Sequence, residues 1–168
     1  MRNFKKKTQM NLFPKNDYTF KIMGEETETL ERLKRRTELS ESLTSKITDK
    51  SFIGKIKDNR FEVISSEIGK GAFCVLTGEI VNKDGQVEVK INKAFRILLS
   101  ILLCFPFIGL IVQFFSNRED FSIIIILALL LQLLMIRYVF IEFAFRRFSK
   151  SSLSKLSDVL DIDQLEKN

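Results

Sequence analysis

The chain has 168 residues, of which 45% are hydrophobic and 29% are charged, with a formal net charge of +6 and no His. Because His is absent, catalytic sites that need an imidazole base and zinc sites with His ligands are excluded. The charge is unevenly distributed, since residues 1–93 hold 19 Lys/Arg and 14 Asp/Glu whereas residues 97–117 hold none. A fully soluble globule, a disordered tail and a disulfide scaffold are therefore excluded as well.

We expect a flexible amino-terminal segment over residues 1–14 and a cytoplasmic α+β domain over residues 15–93. No apolar run follows the basic residues at the start of the chain, so a signal peptide is not expected. Residues 18–22 (YTFKI) predict a short strand. Residues 25–43 predict a helix, because acids crowd its start and bases follow, as the helix dipole favours. Its basic stretch, residues 32–36, has acids within one turn, which favours a solvated surface over contact with nucleic acid or anionic lipid.

Residues 51–92 alternate between apolar and charged with a period of two, which predicts antiparallel strands joined by tight turns. The pair Asp84-Gly85 is typical of a two-residue hairpin turn, because Gly takes positive φ freely. This turn predicts that Ile80 lies opposite Val89. One face of the hairpin is then a core and the other is mostly exposed to water.

A second two-residue turn is predicted at Asp58-Asn59. It places Ile56 opposite Phe61, and it separates an apolar face from a charged one. The apolar face consists of Phe52, Ile56, Phe61 and Val63, and the charged face of Lys55, Lys57, Arg60 and Glu62.

The two cysteines lie in different predicted environments, Cys74 in a strand and Cys104 in a membrane helix. A disulfide between them is not expected, and both are interpreted as small buried apolar residues. The chain has no phosphate-binding glycine motif and no nucleophile elbow. We therefore predict no catalytic residue, no cofactor and no metal, and we do not expect an enzyme.

Residues 94–117 predict the first transmembrane helix, and their uncharged part, residues 97–117, is 21 residues long. At about 1.5 Å per residue it spans roughly 31 Å, close to the hydrocarbon thickness of a bilayer. Pro106 frees a backbone carbonyl, which Ser100 or a partner helix could satisfy. A kink is expected near Pro106 and Gly109.

Residues 118–120 predict an extracytoplasmic loop, and residues 121–142 predict the second transmembrane helix. Arg137 lies near its cytoplasmic end and is interpreted as an interface anchor whose guanidinium reaches the headgroups. In the alternative interpretation, Arg137 lines a pore or pairs with Gln113 or Gln132 of another subunit.

Residues 143–168 predict an amphipathic cytoplasmic helix that covers the sheet, followed by a solvated acidic tail. Arg146 and Arg147 would lie near anionic headgroups. The excess of Lys and Arg on the outer flanks of the hairpin predicts a multi-pass protein of the inner (plasma) membrane with both termini in the cytoplasm. These flanking cations are Lys90, Lys93, Arg96, Arg146, Arg147, Lys150 and Lys155.

The strand motifs lead directly into the predicted hairpin, and this pattern resembles a group of small uncharacterised bacterial proteins with two transmembrane helices. The motifs are Phe52-x-Gly54-x-Ile56, Phe61-x-Val63, Gly78-x-Ile80 and Gly85-x-Val87-x-Val89. The resemblance covers about residues 15–160. It implies an α+β membrane protein, in which a small antiparallel sheet with one helix precedes a transmembrane helical hairpin and an amphipathic carboxy-terminal helix. It implies no activity, and the chain departs from it at Cys74, where those relatives tend to have a Pro before the glycine of the third strand.

Three functions follow from these patterns. The first is a membrane-anchored, non-enzymatic binding or regulatory module with an unknown cytoplasmic ligand. The alternatives are an oligomeric membrane-active effector or channel subunit with a cytoplasmic sensor domain, and a membrane enzyme acting on lipid or phosphate. Expected partners are the lipid bilayer and a second copy or another membrane protein. The candidate membrane-interface or helix-packing residues are Arg137, Gln113, Gln132, Pro106, Gly109, Arg146 and Arg147.

Overall fold

The computed structural model describes residues 12–69, 71–116 and 123–168. Within them lies a seven-stranded mixed sheet of order β2-β3-β4-β5-β6-β1-β7. Strand β2 is parallel to β3, and all other neighbours are antiparallel. The strands are β1 (Lys15–Ile22), β2 (Thr37–Leu39), β3 (Phe52–Lys57), β4 (Arg60–Ser65), β5 (Cys74–Val81), β6 (Asp84–Ile91) and β7 (Ile162–Lys167). The α+β class is confirmed, but the prediction of a small, purely antiparallel sheet is wrong.

The helices of the described residues are α1 (Glu26–Arg36), α2 (Lys93–Ser116), α3 (Ile123–Leu134) and α4 (Glu142–Leu160). A π-helical segment, Met135–Ile141, joins α3 to α4 without a break. We call this continuous element, residues 123–160, the long helix. The predicted loop at 118–120 and residues 1–11 of the predicted amino-terminal segment lie outside the described residues.

The predicted hairpin at Asp58-Asn59 is confirmed. Ile56 lies opposite Phe61 in the β3–β4 ladder, as the sequence indicates. Asp58 has a φ of 51°, a left-handed conformation that Asp adopts more readily than most residues. The apolar face of this hairpin lies in the core and its charged face outside it, so the alternating pattern fixes the register.

The turn predicted at Asp84-Gly85 is wrong, because the chain turns at Asn82 and Lys83 instead. Asn82 supplies the left-handed conformation with a φ of 57°, which Asn tolerates well. Gly85 lies within β6, where the ring of Phe20 occupies the space that a Cβ would need. The glycine is therefore required for close packing rather than for a turn.

This different turn changes the register but not the faces of the hairpin. Ile80 lies opposite Gly85 rather than Val89, and Leu76 faces Val89. The partner of Ile80 is four positions away from the expected one, an even number, so each side chain keeps its face. For that reason the predicted core residues are confirmed although their partners are not.

Two other predicted boundaries are wrong. The helix expected over residues 25–43 ends at Arg36, because Thr37 is extended and begins a short strand beside β3. The acidic tail expected after the last helix is strand β7, which pairs with β1. Asp161 makes the connection in a left-handed conformation, and its carbonyl accepts a hydrogen bond from the amide of Met23 at 3.0 Å.

The main core lies between one face of the sheet and the helices α1 and α4, and we call the seven strands with these two helices the sheet domain. Leu33 of α1 and Leu156 of α4 are fully buried against sheet residues such as Phe61 and Leu76. The predicted amphipathic helix therefore does cover the sheet. A second, smaller apolar cluster occupies part of the opposite face and consists of Ile53, Ile64, Ala72 and Val75, with Leu43 and Phe95 packed against it.

Candidate membrane junction and binding grooves

Two helical stretches of the described chain are long and apolar enough to cross a membrane, Lys93–Val112 and Ile126–Leu160. Large apolar side chains on both are exposed, for example Phe105 at 67% and Leu127 at 68%. Contiguous exposed apolar surface of this kind is uncommon on soluble monomers. The helices α2 and α3 contact each other, and we call α2 with residues 123–141 the helical pair.

Asn92 forms the junction between the sheet and the first helix of the pair. It follows β6 directly, and its side-chain oxygen accepts a hydrogen bond from the amide of Ala94 at 3.3 Å, as an N-cap does. Its side-chain nitrogen donates to the carbonyl of Leu43 at 2.9 Å, and its amide donates to the carbonyl of Phe73. A buried Asn with these bonds fixes where α2 leaves the domain.

Three aromatic rings reinforce this junction. Phe73, in a short helical turn before β5, packs edge-on against Phe95 of α2 with 5.3 Å between ring centroids. It packs in the same manner against Phe148 of α4, at 5.1 Å. Both helices are therefore held to the sheet through one buried ring.

Arg137 lies in the π-helical segment, half-buried, with its guanidinium carbon 5.4 Å from the centre of the Tyr138 ring. The described residues provide no carboxylate within ion-pair distance of it, and Gln132 of the same helix is exposed. These positions fit an interface anchor beside an aromatic residue. The pairing of Arg137 with a glutamine of another subunit stays a prediction.

Pro106 is buried and does not interrupt α2. The suggested role of Ser100 is wrong, because its hydroxyl donates to the carbonyl of Arg96 at 2.8 Å and not to the carbonyl that Pro106 frees. Gly109 is exposed, and apart from its chain neighbours and the backbone of its own helix, no described atom lies within 4 Å of the place where its Cβ would be. Gln113 belongs to α2, but its side chain lies outside the described part of the structure.

The predicted headgroup cations lie on α4. Arg146 is exposed and its Nε donates to Oε1 of Glu142 at 3.0 Å. Arg147 and Lys150 are also exposed, and neither forms an ion pair with a described carboxylate. Arg147 and Lys150 therefore present free positive charge at the end of the helical pair that joins the domain.

An apolar groove of 380 Å³ runs between α2 and the π-helical segment. Leu102 forms one wall, and residues from Met135 to Phe143 form the other. No polar atom contributes to the surface of this groove. Such a groove can accept a hydrocarbon chain or an apolar side chain.

A polar groove of 660 Å³ crosses the ends of β5, β6, β1 and β7. Lys21 is cationic, and the carboxylates of Glu79, Asp84 and Glu166 line the same groove. Glu79 accepts hydrogen bonds from Nε of Arg60 at 3.0 Å and from the amide nitrogen of Asn59 at 3.2 Å. Among the described residues, Asp84 and Glu166 have no ion-pair partner, so the groove has a surplus of negative charge.

The thiols lie in contrasting environments. Cys74 is completely buried in the core, and burial raises its pKa to about 12. Cys104 is exposed on α2, so the expectation that both cysteines are buried is wrong for this one. Each is a free thiol, and neither has a reactive environment in the described structure.

Sequence reasoning located the cations of α4 but missed Asn92 and both grooves. Asn directly before an apolar helix is a capping signal that could have identified the junction. The grooves have no such signal, because each is assembled from distant segments. The polar groove, for example, combines Lys21 with Glu166.

No known protein family, curated protein or solved structure matches the chain. In the described part of the chain, no group of three or more His, Cys, Asp or Glu could hold a metal ion. A function can therefore be inferred only from the fold and from the surfaces described above.

Proposed function

We propose that the chain is a membrane-anchored, non-enzymatic binding and regulatory module, with the α+β domain at the cytoplasmic face of the plasma membrane. The observation that carries this proposal is the long helix. Its first half is apolar and exposed, while its second half, α4, belongs to the core that covers the sheet. Membership of the group of bacterial two-helix proteins that the sequence resembles is part of the same proposal.

The polar groove is the proposed ligand site. Its unpaired carboxylates, Asp84 and Glu166, favour a cationic partner, and a basic polypeptide segment has the right charge. Two of the four strands that form the groove continue into the helices, since β6 leads through Asn92 into α2 and β7 follows α4. A ligand that moves these strands therefore acts on both helices at once.

The topology is tested with single cysteines in a variant that lacks Cys74 and Cys104. A cysteine at Lys57, which is exposed at the end of β3, should react with a membrane-impermeant maleimide only after cell lysis. A cysteine at Asn117 should react in intact cells. The reverse pattern would overturn the orientation, and extraction of the protein from membranes by alkaline carbonate would overturn anchoring.

Ligand binding is tested with an oligolysine peptide and the full chain in detergent, by titration calorimetry. The double variant Asp84→Asn/Glu166→Gln should weaken binding about threefold to tenfold, as loss of two exposed charge pairs does. The control Glu31→Gln/Asp158→Asn removes the same charge from exposed positions on α1 and α4. Equal weakening by both double variants would show that only net charge matters and would overturn the groove as the site.

One observation favours the effector or channel function as a second proposal. Gly109 has open space around it, and Gln132 is exposed on an otherwise apolar helix, so both could contact another copy. A stable assembly of four or more chains in detergent, with ion flux through liposomes that Arg137→Ala abolishes, is the expected result. A monomer or dimer without flux would overturn it.

A further inference from the structure

The apolar groove and the free cations of α4 lie next to each other on the long helix. Phe143 closes the groove wall, and it is 68% exposed. Arg146, Arg147 and Lys150 follow it by three, four and seven residues, which places them on the same face of an α-helix. At about 1.5 Å per residue, the cations begin roughly 4.5 Å beyond Phe143 and extend to roughly 10 Å beyond it.

The charge around this face is mostly positive. Between Arg137 and Ser157 the chain has five Lys or Arg and a single carboxylate, Glu142. Glu142 pairs with Arg146, which leaves Arg147 and Lys150 without a described carboxylate partner. A negatively charged group that approaches from the end of the groove therefore meets two free cations.

The order of these features matches the order of groups in a phospholipid of the cytoplasmic leaflet. The apolar groove lies toward the middle of the helical pair, and the cations lie on the side of the sheet domain. We propose that this surface is a binding site for an anionic diacyl phospholipid, with an acyl chain in the groove and the phosphate headgroup at Arg147 and Lys150. The proposal rests on the membrane anchoring proposed above and adds the lipid class that the anchor selects.

Native mass spectrometry of the full chain in detergent, titrated with phosphatidylglycerol or phosphatidylcholine, tests this site. Wild-type protein should retain phosphatidylglycerol about tenfold better, because each cation near an anionic headgroup strengthens binding severalfold. Arg147→Gln/Lys150→Gln should remove most of this preference. The matched control Lys34→Gln/Lys57→Gln, which removes two exposed charges from α1 and β3, should keep it.

Two further measurements test the acyl-chain groove separately from the headgroup cations. Phe143→Ala should weaken retention of both lipids about twofold to fivefold, because it removes groove wall and leaves the cations in place. Glycerophosphoglycerol, the same headgroup without acyl chains, should neither bind nor compete. Competition by this soluble phosphate would overturn the acyl-chain half of the proposal.

Equal retention of the two lipids by wild-type protein, or an unchanged preference in Arg147→Gln/Lys150→Gln, would overturn the lipid site. Flotation of the same proteins with phosphatidylcholine vesicles reports anchoring separately. Wild type and variant should both float. If wild type does not float, the proposed membrane anchoring is wrong, whereas flotation without lipid preference contradicts only the site described here.

Discussion

The sheet domain and the helical pair contain similar apolar side chains, but the domain buries them and the helical pair exposes them. Phe61 of the domain is 2% exposed, whereas Phe105 of α2 is 67% exposed. In the domain, apolar side chains contact one another; in the helical pair, most of them point away from the described chain. The difference teaches that the domain is stabilised by its own core and that the helical pair needs an apolar environment outside it, which the proposed bilayer supplies.

The same substitution in each region gives the largest expected contrast. Phe61→Ala should lower the free energy of unfolding by about 3–5 kcal/mol, because it leaves a cavity in a closed core. Phe105→Ala should change it by less than about 1 kcal/mol in detergent, since lipid or detergent fills the space. Denaturant unfolding of the full chain in mild detergent measures both, and equal losses would contradict the division into two regions.

The two thiols should differ in their reactivity, because Cys74 is buried in the core and Cys104 is exposed on α2. Burial raises the pKa of Cys74 to about 12, so its reactive thiolate is scarce at about pH 8. Labelling of Cys74 by N-ethylmaleimide in detergent should be about a hundredfold slower than after unfolding in guanidinium. Cys104, which is exposed, should show a much smaller difference. Peptide mass spectrometry after timed labelling distinguishes the two sites.

The raised pKa of Cys74 also predicts the sign of a pH effect. Its folded pKa of about 12 lies above the ordinary value of 9.0, so the folded state keeps the proton that the unfolded state releases. The contribution of the neutral thiol to the free energy of unfolding is fully present below about pH 9 and decreases as the pH rises toward 12. Wild type should therefore lose stability relative to Cys74→Ala between about pH 9 and pH 10.5, as measured by unfolding at each pH. A difference that does not change with pH would contradict the burial of this thiol.

Glycine substitutions test the packing of each region. In Gly85→Ala the new methyl group meets the ring of Phe20, and we expect a loss of about 1–3 kcal/mol of unfolding free energy. Gly109→Ala places a methyl group in open space on a helix and should be neutral or stabilising by up to about 1 kcal/mol. A large loss from Gly109→Ala would instead show that another chain packs against it.

The junction between the regions gives the smallest expected effect. A double-mutant cycle on Phe73→Leu and Phe148→Leu should give a coupling energy of about 0.5–1.5 kcal/mol, typical of an edge-on aromatic pair. A cycle on Phe73→Leu and Phe105→Leu is the control, and we expect no coupling. Zero coupling in the first cycle would mean that Phe148 is not held against the sheet as described.

The sequence predicted most reliably the features that depend on local pattern. The β3–β4 register follows from alternation and a two-residue turn, and the long apolar stretches follow from composition. At β5–β6 the same reasoning chose the wrong turn, because Gly85 satisfies a packing requirement of Phe20 that no local pattern reveals. Each side chain of this hairpin keeps its predicted face although the turn was placed wrongly. The alternation of apolar and polar residues is therefore a stronger signal than the residue types at the turn.

The elements that were missed depend on distant partners. Strand β7 has an exposed, mostly polar sequence that resembles a tail, and it is ordered by hydrogen bonds to β1 from the other end of the described chain. Strand β2 has only three residues, and its parallel pairing with β3 requires a crossover that local patterns do not specify. For the candidate sites, the cations of α4 were predictable from the positive flanks, but the groove beside them required the position of Leu102 on a different helix.

Because β1 pairs with β7, the sheet can be completed only after α4 and β7 have been synthesised. Six strands of the sheet precede the helical pair, and the seventh follows it. A nascent chain that has just emerged up to residue 92 therefore lacks both α4, which covers the core, and the strand that covers the outer edge of β1. Until β7 has emerged from the ribosome, that edge is free to pair with other chains. Completion of the sheet domain thus waits for synthesis of the segment that the membrane is proposed to receive.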